Sequence, residues 1–102
     1  METKIQSIHF QANEQLKEFI FNKVNKLEHL NHKIKACDVS LKLEKSDVET
    51  NKLCEIKLFL PDVELFTKRQ CTTFEQACNE TIAAIQDQLR KHKTKEINRT
   101  HH

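Results

Sequence analysis

A chain of 102 residues, 37% hydrophobic and 31% charged, has the composition of one folded domain with a heavily solvated surface; at that size roughly 65% of the unfolded chain's surface can be buried, enough for one core but not for a deep enclosed active site beside it. Glycine is absent, which excludes the P-loop, the dinucleotide fingerprint and the nucleophile elbow, because each needs glycine for close backbone approach. The net charge is only +2, yet residues 84–102 gather Arg90, Lys91, Lys93, Lys95 and Arg99 against Asp87 and Glu96, so the cationic character sits at one end of the sequence.

Lys4 to Phe10 is a short β-branched and aromatic segment that predicts a first strand. Asn13 then offers a helix N-cap, and Leu16, Phe19, Ile20, Val24, Leu27 and Leu30 recur at three- and four-residue steps, which predicts a helix ending near His29 or Leu30. From Lys35 to Lys45 the period changes to two. Val39, Leu41 and Leu43 alternate with Asp38, Ser40, Lys42 and Glu44, the pattern of a half-buried strand. A polar loop spans Ser46 to Asn51, and alternation resumes with Cys54, Ile56, Leu58 and Leu60. Pro61-Asp62 makes a turn, and Val63, Leu65 and Thr67 continue the inward set beyond it. Leu60 then lies opposite Val63, which keeps the apolar residues of both strands on one face. The same parity turns Lys42, Lys57, Phe59, Phe66 and Lys68 to solvent. Aromatics interleaved with lysines can stack bases, but sheet residues packed under lysine stems explain Phe59 and Phe66 better.

Thr73 followed by Gln76 is a capping-box pattern, and Phe74, Ala77, Cys78, Ile82, Ile85 and Leu89 form the apolar stripe of a second helix running to about Lys93. The expected fold is therefore α+β, in the order β-α-β-β-β-α, with two helices packed on one face of a four-stranded sheet. One domain over residues 1–95 is followed by a flexible basic tail over 96–102.

No apolar run is long enough to span a bilayer, and residues 1–10 lack the apolar stretch of a signal peptide, so the cytosol is the expected compartment, without membrane attachment. Cys37, Cys54, Cys71 and Cys78 contain no Cys-x-x-Cys pair and read as small buried apolar residues, and the histidines offer no His-x-x-x-His on a helical face. No metal or other cofactor is expected. Asp38, Glu44, Glu49 and Glu55 have no accompanying His or Cys, so no nucleophile, base and orienting group can be assembled for an enzyme acting on a small molecule.

Three segments carry a resemblance: Lys23-Val24-Asn25-Lys26-Leu27-Glu28 in the first helix, Leu41-Lys42-Leu43-Glu44-Lys45 in the second strand, and Gln88-Leu89-Arg90-Lys91-His92-Lys93-Thr94-Lys95 at the end of the second helix. Through them the chain resembles, from Lys4 to Lys95, the short ribosome hibernation promoting factors, also called ribosome-associated translation inhibitors. The resemblance implies a protein that binds the 16S rRNA of the small ribosomal subunit and blocks translation by occupying the channel used by messenger and transfer RNA. It implies RNA contacts at Lys23, Lys26, Lys42, Lys45, Arg90, Lys91, Lys93 and Lys95, dispersed cations of the kind that shape-based recognition of phosphates requires. The family usually carries an aromatic and further basic residues along the second helix, where this chain has Glu75, Ala84 and Asp87. The competing expectation is a divergent interaction domain of the same fold that forms a homodimer through its exposed sheet face.

Overall fold

The computed structural model describes residues 1–44 and 49–100, with side chains described through Lys93. The elements are β1 (Glu2–Ile8), α1 (Glu14–Asn25), a 3-10 turn (Lys26–His29), β2 (Ala36–Leu43), β3 (Lys52–Phe59), β4 (Glu64–Cys71) and α2 (Phe74–Thr100). This is the expected β-α-β-β-β-α order, in a single sheet ordered β1-β2-β3-β4. β1 runs parallel to β2, while β2, β3 and β4 form an antiparallel meander. A parallel pair cannot be joined by a tight turn, and α1 supplies the crossover.

Local chemistry sets the element boundaries. Asn13 Oδ1 accepts a hydrogen bond from the Leu16 N–H at 2.8 Å, and Thr73 Oγ1 accepts one from the Gln76 N–H at 3.1 Å, so both helices start where a side chain satisfies an otherwise orphaned donor. Across the Pro61-Asp62 turn the Leu60 N–H donates to the Val63 carbonyl at 2.9 Å, the opposition that strand parity predicts. Cys37, Val39 and Leu41 of β2 and Cys54, Ile56 and Leu58 of β3 face the helices and are buried with Ile20, Val24, Leu27, Cys78 and Ile85. Thr81 is fully buried beside this core; its hydroxyl lies 2.7 Å from the Ala77 carbonyl and 3.2 Å from that of Cys54.

The opposite sheet face is open to solvent and carries Lys42, Lys57, Phe59, Phe66 and Lys68. Phe59 is half-buried under Lys57, whose Nζ stands 5.7 Å from the ring centroid and 3.8 Å from Glu64, whereas Phe66 is 46% exposed.

Three boundaries differ from the sequence pattern. β1 is shifted toward the N-terminus, α1 tightens into a 3-10 turn after Asn25, and α2 runs on to Thr100 instead of ending near Lys93. The backbone of the segment expected to fray is thus helical through Thr100. Of the loop expected over 46–51, residues 46–48 lie outside the described residues.

All four thiols are buried. Burial, reinforced by Asp38, pushes Cys37 up from an ordinary value near 9 to about 12. A hydrogen bond with Cys78, together with burial, pushes Cys54 up, and the same bond draws Cys78 down. Burial, and then a hydrogen bond to Glu80 at 3.1 Å, raises Cys71 to about 11. A raised thiol keeps its proton in the folded state over a range where the unfolded chain has lost it, so this contribution to stability is complete below about pH 9 and falls away toward pH 12. Denaturant unfolding at pH 8 and pH 11 should show that loss, reduced in Cys37→Ala. Equal stability at both pH values would contradict it.

Candidate nucleic-acid interface

Two sets of contacts fix where the helices end. Thr3 Oγ1 donates to Asn25 Oδ1 at 3.0 Å, and the Met1 amine meets Glu28 at 3.3 Å, so the end of α1 lies beside the start of β1. Gln88 Nε2 donates to the Phe66 carbonyl at 3.0 Å, and His92 Nε2 lies 3.4 Å from Asp62, so the far part of α2 lies beside the β3–β4 turn. The starts of β1, β2 and β4 and the end of β3 share one end of the sheet. Both helices therefore bring their C-terminal ends, and their cations, to that end.

Lys23 is half-buried, with its Nζ 5.6 Å from the Phe19 ring centroid, and Lys26 is exposed at the start of the 3-10 turn. On α2, Arg90, Lys91 and Lys93 are exposed. At about 100° per residue, Lys93 falls on the same stripe as Glu75, which lines a groove with Leu16 and Phe19 of α1; Lys93 thus lies on the flank toward α1 and Lys91 on the other flank. Asp87 pairs with two of the α2 cations, at 3.4 Å to Lys91 Nζ and 4.0 Å to Arg90 Nη1, the intrahelical pairs that the three- and four-residue spacings predict. Of the other nearby carboxylates, Glu28 meets the Met1 amine at 3.3 Å and Asp62 lies 3.4 Å from His92 Nε2, while Glu2 is exposed at the start of β1.

Lys42 stands apart. It projects from the open sheet face at the opposite end, between Ile8 and Leu53 of the neighbouring strands, and is not brought together with the helix-end cations. Lys45 lies outside the described residues, as does the side chain of Lys95. The fold adds two cations that sequence reasoning missed, Lys33 and Lys35, both exposed in the connection from the 3-10 turn to β2. The Lys33 N–H is held by Asn31 Oδ1 at 2.9 Å, and the Lys35 N–H by the Phe59 carbonyl at 2.7 Å. The signal that could have found them is topological: the crossover to a parallel strand must return to the end of the sheet where the first strand began.

The other end of the helical layer carries exposed Glu14, Glu18, Glu75 and Glu80, so the layer is electrically polar from end to end. Among the described residues no group of three or more His, Cys, Asp or Glu is placed to hold a metal ion, and no helix is long and apolar enough to cross a membrane. What the basic end can do chemically is hold phosphates: its cations, exposed except for the half-buried Lys23, are spaced along two helix ends and a loop.

Two solved structures share this architecture at 13% sequence identity. A ribosomal subunit interface protein from Coxiella burnetii superposes with a TM-score of 0.81 over 92% of this chain and 99% of the other. The N-terminal domain of Protein Y from Thermus thermophilus gives 0.76 over 90% and 99%. No curated protein sequence matches the chain. At that identity the structural likeness speaks to the fold. The sequence match that reaches beyond the fold spans residues 3–97, and by it the chain belongs to the sigma 54 modulation protein / S30EA ribosomal protein family.

Proposed function

We propose that this protein is a ribosome hibernation factor that works in the cytosol by occupancy: it binds the 16S rRNA of the small subunit, and its folded body fills the channel used by messenger and transfer RNA. The observation that carries this reading is the gathering of Lys23, Lys26, Lys33, Lys35, Lys91 and Lys93 at one end of the domain, with Glu14, Glu18, Glu75 and Glu80 toward the opposite end of the helical layer. Family membership and the names of the two structural neighbours, a ribosomal subunit interface protein and Protein Y, support it. Such a charge distribution orients the approach to RNA, with the ends of α1 and α2 leading.

Co-sedimentation with purified small subunits across a salt series tests the proposal. Binding should fall linearly on a log–log plot, with a slope of about 0.7–0.9 for each phosphate contact. Failure to co-sediment at low salt would overturn it. Asp87 offers a finer reading of the same surface, because it occupies two of the cations that would otherwise reach phosphate. Asp87→Arg should tighten binding at low salt and steepen its salt dependence, at a cost of about 0.2–0.5 kcal/mol for each lost intrahelical pair. Weaker or unchanged affinity in a folded Asp87→Arg variant would remove this flank of α2 from the interface.

A further inference from the structure

The two edges of the sheet are finished differently. On β4, the main-chain groups of Phe66 and Lys68 face outward, and side chains cover them: Gln88 donates to the Phe66 carbonyl at 3.0 Å and Arg69 Nη1 to the Lys68 carbonyl at 2.7 Å. Lys68, Arg69 and Gln70 along this strand add the charge and polarity that discourage edge pairing. On β1, the Glu2 N–H points inward to the Lys35 carbonyl at 3.0 Å, so by the period of two the N–H and C=O groups of Thr3, Ile5 and Ser7 point away from the sheet. Among the described residues no strand or side chain is hydrogen-bonded to them. Over this open edge lies a groove of about 290 Å³, lined by Thr3, Ile5, Lys17, Glu18 and Phe21. Phe21 is 47% exposed. An uncovered edge and an uncovered aromatic ring coincide.

We propose that β1 is an interface strand, and that two copies of this chain pair antiparallel through it, centred on Ile5, into one continuous sheet. The register follows from the residues. Centring on Lys4 would set that lysine against its own copy, a destabilising like-charge pair. Centring on Thr3 would draw in Met1, whose amine is buried against Glu28. Centring on Ile5 uses the whole open strand. Thr3 faces the partner's Ser7, Ile5 faces the partner's Ile5, and each such pair exchanges two main-chain hydrogen bonds. Lys4 then opposes the partner's Gln6 with no like charges in register, and the two Phe21 rings close over the Ile5 pair. The strand's own sequence is thus a fitting occupant of its edge. The interface runs along the β1 edge, whose start lies beside the end of α1, but it uses none of the cations of the ribosomal reading, and it uses the sheet edge and not the open sheet face.

A disulfide-trapping experiment reads the register directly. A 1:1 mixture of the Lys4→Cys and Gln6→Cys variants, incubated with oxidised glutathione, should give a covalent mixed dimer, because these positions oppose each other across a non-hydrogen-bonded pair about 4.5–5.5 Å apart at Cβ. Either variant alone should give little, and the native chain, whose thiols are buried, none. Sedimentation equilibrium should show a concentration-dependent dimer that Ile5→Pro abolishes, since the proline removes an outward N–H without breaking the ladder to β2. A monomer at every concentration overturns the proposal, including one that captures an unrelated extended apolar peptide. Equal cross-linking by the single variants overturns it as well.

Discussion

Leu58→Ala is expected to destabilise the domain by about 2–5 kcal/mol, the range for deleting a buried leucine side chain and leaving the cavity behind. Leu58 is fully buried on β3, between Cys37 of β2 and Leu65 of β4, beneath the helices. β3 is flanked on both sides by other strands, so its backbone cannot shift to collapse the void without breaking two ladders. Leu27→Ala should fall in the same range. Its side chain is also fully buried, and it anchors the 3-10 turn that sets the position of the Lys26, Lys33 and Lys35 region. A small domain has only about 5–15 kcal/mol of total stability. Either substitution should therefore lower the denaturant midpoint strongly, and a midpoint unchanged in either variant would show that its side chain is not in the core.

The second large effect concerns binding. Changing Lys91 and Lys93 together to glutamate should leave the fold intact, because both side chains are exposed and the Lys91–Asp87 ion pair that the change breaks lies on the surface of a single helix. Ribosome affinity should fall by on the order of tenfold or more at low salt, and the salt slope should drop by about 0.7–0.9 for each phosphate no longer neutralised. The two lysines lie on opposite flanks of α2, so the double variant reverses charge on both flanks of that helix end. Lys42→Glu supplies the contrast. That residue projects from the other sheet face at the other end, and its reversal should change affinity far less. A Lys91→Glu/Lys93→Glu variant that binds as the native chain does, while folded by circular dichroism, would take the basic helix end out of the interface.

Much of the fold was legible because its signals are local. Asn13 and Thr73 cap helices by bonds to residues three positions on, and Pro61-Asp62 presets a turn whose parity carries the buried set from β3 to β4. What failed to show was non-local or lacked an apolar stripe. β1 extends back to Glu2 because its partner is β2, on the far side of a helix, and pairing across such a distance leaves no mark on the strand's own alternation. α2 continues past Leu89, the last core residue of its stripe. A stripe-based reading stops there, yet 90–100 contain neither glycine nor proline and are rich in good helix formers. The candidate site was read one segment at a time for the same reason. Lys23, Lys26 and the α2 cations were found from their own segments, Lys33 and Lys35 were not, and Lys42 was grouped with residues from which the sheet separates it.

The parallel pairing of β1 with β2 also dictates an order of assembly. The β2–β3–β4 meander closes through short connections, and its contacts are local in sequence, so little chain entropy opposes it. β1 has no neighbour until the whole of α1 and the chain leading to β2 have been made, and its pairing closes the longest loop in the sheet. During synthesis β1 leaves the ribosome before its partner β2 and is thus among the last strands of the sheet to find its place. Until then Ile5, which packs against the finished core, stays uncovered beside a chain that is still growing.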